Sequence, residues 1–462
     1  MSHGFRITSA LWDKIHHFAS FPQTGVSLQQ MVLFGQNPSQ GTLLKASQFL
    51  SEELPVRLAH RVKELDELPH NLSDMPSIVK VKNWYAQSFE ELIKFPHLPP
   101  MSSEIRRALF AAPSAANGDV QLPSSTPNPS LEHMLLVDDD ANRNFPSSLD
   151  GSGVSGALSS GGFYGGVNGS TSGWGIGKAN GNGNGNGGTE GFNKLKLRVP
   201  MERRYYAAPL SSTIDWPPEV RDYNKRFTKM LETIKTRHDP TVTTVAQGVL
   251  EWKRSQRARN IGLDMQQWLD RFYLSRIGIR FLIGQHIALN TQEPHADYVG
   301  IICTNANVHD IIEEAIENAR FVCEEHYALF SSPPVQLICP TNLTFPYVPG
   351  HLSHIIFELL KNSLRAVVER HGEGAEKFPP IKVIVVEGTE DITIKISDEG
   401  GGIARSAMGL IWTYMYTTMK LGPGQGLDEG FRDTDFKAPM AGFGYGLPLS
   451  RLVRDNIVLF PF

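Results

Sequence analysis

Between about residues 100 and 205 the chain is dominated by Pro, Ala, Ser, Asn and Gly and includes the run Gly181-Asn-Gly-Asn-Gly-Asn-Gly-Gly188. Such a stretch buries too little apolar surface to offset the entropy of ordering it, so it is expected to be a disordered insertion. It splits a chain of 462 residues, and the fold must be built from what flanks it. Upstream, residues 8 to 95 carry helical patterns with short breaks. Ser51 to Ala59 continues the same pattern into Val62 and Leu65, and Pro76 opens another helix with proline in its first turn. Downstream, helical periodicity resumes at Pro217-Pro218-Glu-Val and again near Val242. It then runs from Met265 to Leu289, where Leu269, Phe272, Ile279, Ile283 and Ile287, widened by Leu274, Ile277 and Phe281, are apolar over much of the circumference. A helix of that kind belongs at the centre of a bundle. The insertion is therefore expected to interrupt one helical domain, residues 1–296, of the four-helix type. His286 on the central helix reads as a packed core histidine, with a phosphoacceptor role as the alternative.

After Pro294 the texture changes, and residues 297–462 are expected to form a second, α+β domain. Val308 to Tyr327 is helical in pattern and Val335 to Cys339 is strand-like. Next comes a helix with two stripes at spacings of three and four. Ile356, Leu360, Leu364 and Val367 are apolar, while His354, Glu358, Asn362 and Arg365 form a polar stripe of a base, an amide oxygen and a guanidinium. Taken alone, that stripe fits either a solvated face or the wall of a metal-phosphate site. The runs at Ile381 and Ile392 form a hairpin, the second alternating strictly, and lead into Asp398-Glu399-Gly400-Gly401-Gly402. Glycines just past a strand end let backbone approach a ligand, and Asp398 offers a fixed acceptor. A Gly, Asp and Lys-rich loop, of the kind that closes over a ligand, then separates Tyr416 from Gly442-Phe443-Gly444-Tyr445-Gly446-Leu447-Pro448. That second glycine run opens a helical pattern, so free backbone N–H groups face an anion. It lacks the GK[ST] of a Walker site.

Composition excludes several classes. A net charge of −4 and a pI near 6.4 argue against nonspecific binding of nucleic acid or anionic membrane. Cys303, Cys323 and Cys339 are too few and scattered for a disulfide framework, which points to buried thiols in a reducing compartment. No apolar run is long enough to span a bilayer. Arg6 and Lys14 make only a weak transit-peptide pattern.

Taken in order, a helix with Glu and Asn, a hairpin ending in Asp-x-Gly-x-Gly, a loop and a glycine run resemble the ATP-binding fold shared by gyrase, Hsp90, histidine kinases and MutL. Glu358-Leu-Leu-Lys-Asn362-Ser-Leu-Arg365, Tyr414-Met-Tyr416-Thr417-Thr418 and the Gly442 run narrow this. So do Leu54-Pro-Val-Arg-Leu-Ala59, Trp84-Tyr85-Ala-Gln-Ser88, Ala246-Gln-Gly-Val-Leu250 and Leu269-Asp-Arg-Phe-Tyr273. Together they resemble the mitochondrial 2-oxoacid dehydrogenase kinases, most of all the pyruvate dehydrogenase kinases of fungal type.

The resemblance implies an N-terminal helical bundle, a C-terminal α/β-sandwich ATP domain, and Mg-ATP-dependent phosphorylation of a serine on the E1α subunit of the pyruvate dehydrogenase complex. It implies Glu358 as general base with His354 beside it, Asn362 as Mg²⁺ ligand, and Arg365 on the same face. Asp398, with Gly400 and Gly402, would meet adenine, Thr417 and Thr418 the nucleotide, and Gly442, Phe443, Gly444, Tyr445, Gly446 and Leu447 the phosphates. The lipoyl domain of the E2 core, homodimerisation and the mitochondrial matrix are implied in the same way. Glu399 departs from the arginine more common there. Relatives continue past Phe462 with further strands and a tail used in dimer contacts, so this form is expected to bind ATP poorly. Rival readings are the branched-chain complex as substrate, a histidine autokinase on His286, and an inactive form that binds the E2 core.

Overall fold

The structure, a computed structural model, describes residues 5–96, 216–256, 262–416 and 444–458, apart from 27, 37, 294 and 390. The expected insertion, at about 100–205, lies outside the described residues. Seven α-helices precede the first strand among the described residues: α1 Ser9–Phe18, α2 Leu28–Gly35, α3 Gln40–Asp66, α4 Pro76–Ile93, α5 Pro218–Arg237, α6 Thr241–Gln256 and α7 Leu263–Thr291. Helix α3 packs against α1, α4, α5 and α7, and α6 packs on α4. The helices on either side of residues 97–215 thus share one core. Across that gap in the sequence, the Ser47 hydroxyl donates to Asn224 Oδ1 at 3.0 Å.

The core is aromatic. Tyr85, Phe89, Phe227, Phe272 and Tyr273 are buried, with Phe272 stacked on Trp268. Helix α7 is central as its composition suggests, although Leu274, Ile277 and Ile287 are only half-buried. His286 is 2% exposed, its Nε2 lies 3.3 Å from the Thr228 hydroxyl, and its ring meets Phe227 edge-on. It is a core histidine, and a phosphoacceptor role would require a reachable ring.

The second half holds two three-stranded sheets: β1 Tyr298–Val299, β2 Ile302–Asn307 and β4 Thr344–Tyr347 in the order β1-β2-β4, and β3 Val335–Ile338, β5 Ile381–Glu387 and β6 Ile392–Ser397 in the order β3-β5-β6. Strand β3 runs parallel to β5, and β6 runs antiparallel to it with Val385 opposite Ile394. Helices α8 Val308–Tyr327 and α9 Pro349–His371 cover this sheet, and α10 Gly446–Val458 closes the described chain. Ile381, Val383 and Val385 point inward from β5 to meet Ile356, Leu360, Leu364 and Val367 of α9 in one core. The chain is α+β, as the sequence predicts. The first sheet is not legible in the sequence: β2 shifts register between Cys303 and Ala306, so its buried positions do not alternate. Among the described residues no helix is long and apolar enough to cross a membrane.

Two expectations follow. Leu364 is fully buried in the helix–sheet core, so Leu364→Ala should cost about 2–5 kcal/mol, read from the midpoint of urea unfolding. His238 and His286 are buried, and burial pushes both pKa values down to about 3. Between there and the ordinary value of 6.5 the unfolded chain binds protons that the folded chain refuses. Their neutral packing therefore stabilises fully above 6.5, and the contribution falls as pH drops below it. Unfolding free energy should decline toward pH 5 by about 1.4 kcal/mol per pH unit per histidine, and His286→Asn should remove one share of that slope.

Candidate functional site

Helix α9 has its apolar stripe committed to the core, so its other face is fixed in direction by the helical period. Glu358 Oε1 accepts from Lys361 Nζ at 2.8 Å, with the side chains 14% and 3% exposed respectively. The lysine head also lies 5.5 Å from the centre of the Phe357 ring. A buried ammonium paired this closely limits where the carboxylate can go. His354 stands one turn earlier, and its surface reaches solvent while protein crowds the rest of the ring. That crowding lowers its pKa, the Glu358 carboxylate opposes the shift, and the Lys361 charge adds to it. The Asn362 amide, half-buried one turn after Glu358, makes no side-chain hydrogen bond among the described residues.

Asp398 follows β6 directly. Its Oδ2 accepts from the Ser363 hydroxyl at 2.9 Å and its Oδ1 from the Gly400 amide at 2.9 Å. The turn is pressed against α9: a Cβ on Gly400 would collide with Ala366, and one on Gly401 would meet the Arg370 guanidinium at 2.7 Å. Gly402 has a φ of +73°. Glycine is required here because the backbone passes within van der Waals contact of a helix.

Helix α10 begins at Gly446, beside α9. A Cβ there would strike Glu358 Oε2, so the start of α10, with its free N–H groups, adjoins the carboxylate of α9. Gly444 has a φ of +76°, and a Cβ on it would strike the Tyr416 backbone. Residues 416 and 444 therefore meet. Tyr445 is buried and Leu447 half-buried.

Of the residues singled out in the sequence, Glu358, Gly446 and His354 are brought together. Asp398 and Gly400 are joined to the same helix through Ser363 and Ala366. Arg365 is not brought to this cluster: its Nε donates to Glu369 at 2.6 Å, and both charges act on Tyr327 at the end of α8. Spacing put it on the polar stripe, but its long side chain turns toward the helix C-terminus. Thr417, Thr418, Gly442, Phe443 and the glycine-rich loop lie outside the described residues. Sequence reasoning missed Lys361 and Ser363. A lysine three residues after a glutamate usually reads as a solvated pair, and only the packing shows it 3% exposed.

These features coincide with the matches to known proteins. The family described as mitochondrial branched-chain alpha-ketoacid dehydrogenase kinase matches residues 25–303. The histidine kinase-, DNA gyrase B- and HSP90-like ATPase family matches residues 347–457, the stretch that carries α9, Asp398 and α10. A mitochondrial pyruvate dehydrogenase (acetyl-transferring) kinase of Schizosaccharomyces pombe is 39% identical over 455 residues, 96% of this chain and 90% of that protein. The chain belongs to the mitochondrial 2-oxoacid dehydrogenase kinases. Two relatives bearing the same kinase name, from Arabidopsis thaliana and Ascaris suum, are 32% and 30% identical, covering 96% of this chain in each case and 87% and 80% of their own lengths. As a member of this family it is an ATP-using mitochondrial protein kinase, and α9 with the Asp398 turn and the start of α10 lies within its ATPase-type domain.

Ser363→Ala should leave one Asp398 oxygen without its donor. The expected result is weaker ADP binding by isothermal calorimetry, by about 1 kcal/mol, with the fold unchanged by circular dichroism.

Proposed function

We propose that this kinase uses Mg-ATP to phosphorylate a serine of the E1α subunit of the pyruvate dehydrogenase complex, switching that complex off. The observation that supports it most is the Glu358 carboxylate held by Lys361 at 2.8 Å beside the start of α10. A base and the backbone N–H groups at the start of a helix then lie side by side, as phosphoryl transfer to a hydroxyl demands.

In this reading Glu358 accepts the hydroxyl proton of the substrate serine as its oxygen attacks the terminal phosphorus, and the bond from that phosphorus to the bridging oxygen breaks to release ADP. Lys361 keeps the carboxylate aimed, and His354 stands one turn away as its neighbour. Backbone N–H groups of residues 444–447, with those of Gly442 and Phe443, take the phosphate oxygens, which suits the positive end of α10. Asp398, oriented by Ser363 and the Gly400 amide, accepts from the adenine amino group. Thr417 and Thr418 are assigned to the nucleotide as well. Asn362 would hold the magnesium ion, and its half-buried amide, with no competing hydrogen bond among the described residues, suits an oxygen-ligating cation. When bound there, magnesium neutralises charge on the phosphates. Arg365 is left out of the pocket because Glu369 occupies it.

The lipoyl domain of the E2 core as docking partner, homodimerisation and a matrix location belong to the same proposal, supported by the mitochondrial pyruvate dehydrogenase kinases that the chain is similar to. The description of the family matched over residues 25–303 favours a second reading, the branched-chain complex as substrate.

Purified chain given labelled ATP and each E1 separately distinguishes them: label on pyruvate dehydrogenase E1α is expected, and label on the branched-chain E1 alone overturns the proposal. The label should survive acid as phosphoserine does. Glu358→Gln should lower kcat by at least about a hundredfold while retaining ADP binding.

A further inference from the structure

Helix α7 belongs to the helical bundle, yet one carboxylate on it holds both chain segments that frame residues 417–443. Asp270 Oδ1 accepts from the Tyr414 hydroxyl at 2.8 Å, and the Arg451 guanidinium meets both of its oxygens at 2.9 Å. One helical turn earlier, the Gln266 side chain accepts from the Tyr414 amide at 2.8 Å and donates to its carbonyl at 3.3 Å. One turn later, the Tyr273 ring packs against Tyr414 and Tyr445, with centroids 5.5 and 5.7 Å away, and those two lie 5.1 Å from each other. Tyr445 immediately precedes Gly446, whose backbone adjoins Glu358, and Arg451 lies in the second turn of the same helix.

We infer that Asp270 is a positioning residue for phosphoryl transfer, fixing the start of α10 against Glu358 from the helical bundle. The inference rests on the nucleotide reading of the site. The physical reason is a division of labour. Gly444 and Gly446 have no side chain with which to anchor the run, so Tyr445 and Arg451 supply the side-chain contacts that tie it to α7, while α10 also packs on α9. Both side chains are bonded to or packed on α7 rather than on the sheet domain that carries Glu358. Arg451 Nη2 is shared between both Asp270 oxygens, and the Tyr414 hydroxyl adds a second donor on Oδ1, so one carboxylate ties the two segments together. A displacement of the start of α10 by even an ångström separates phosphate from base, which is where transfer is most sensitive. Asp270, flanked by Gln266 and Tyr273, thereby links the bundle to the start of α10.

The test uses the full chain with Asp270→Asn, Asp270→Glu, Arg451→Gln and the double variant D270N/R451Q. ADP affinity, added with magnesium chloride, is measured by calorimetry; KM for ATP and kcat are measured with E1α, and thermal midpoints alongside. Asp270→Asn should raise the ADP Kd and the KM for ATP by about tenfold while its thermal midpoint stays close to that of the unaltered chain. Asp270→Glu should recover part of the affinity, and the double variant should lose no more than the worse single one, because both remove the same pair. Unchanged affinity in Asp270→Asn, additive losses in the double variant, or a loss that tracks a fall in thermal midpoint overturns the inference. If the unaltered chain binds ADP but labels no E1α serine, the functional reading fails while the calorimetry still decides the role of Asp270. No ADP binding by the unaltered chain overturns both.

Discussion

The period of one helix governs the site. In α9, Ile356, Leu360, Leu364 and Val367 are packed against β5 and α8, which removes the freedom of the helix to rotate or slide. At 3.6 residues per turn, burying Leu360 and Leu364 dictates where Glu358, Asn362 and Ser363 point. Moving the apolar stripe by one residue would turn Glu358 about 100° away from the start of α10. The site therefore inherits its rigidity from the core. Asp398 is tied to this helix through Ser363, and the Gly400 turn is seated on Ala366, so the end of β6 is located by the same element.

Charge is handled by pairing within short reach. Lys361 and Glu358 are both largely out of solvent, and each would be costly alone. The pair leaves Glu358 Oε2 free to face Gly446 while Oε1 is held. In the bundle the solution differs: His238 and His286 are kept neutral by burial. The same residue type thus serves as packing in α7 and as a partly exposed neighbour of a carboxylate in α9. That contrast sets aside a phosphoacceptor role for His286, because a ring 2% exposed offers no path for a phosphate.

Much of the local structure was readable from pattern. The helix from Val308 to Tyr327, the hairpin ending at Ser397, the helical start at Pro218 and the wide apolar face of α7 all follow from spacing and from Pro and Gly punctuation. The sheet β1-β2-β4 was not, since its strands are short and a register shift in β2 breaks the alternation that would reveal it. Arg365 shows the limit of stripe reasoning. Its backbone position is on the polar face, but the nearest carboxylate, Glu369, takes its guanidinium. Pairings between distant segments, such as Ser363 with Asp398 and Asp270 with Arg451, carry no periodic signature.

The sequence by itself determined the α+β class and the polar stripe and glycine runs of the candidate site, because periodicity and glycine spacing are local properties of the chain, and its motifs carried the resemblance to the kinase family. Tertiary structure alone decided which of those residues meet. It buried Lys361 onto Glu358, set Gly446 against that carboxylate, withdrew Arg365 to Glu369, and bound Tyr414 and Arg451 to Asp270 of the bundle. The physical reason is that a side chain's partner is set by what packing brings within hydrogen-bond distance, and Asp270 and Arg451 stand 181 residues apart in the sequence.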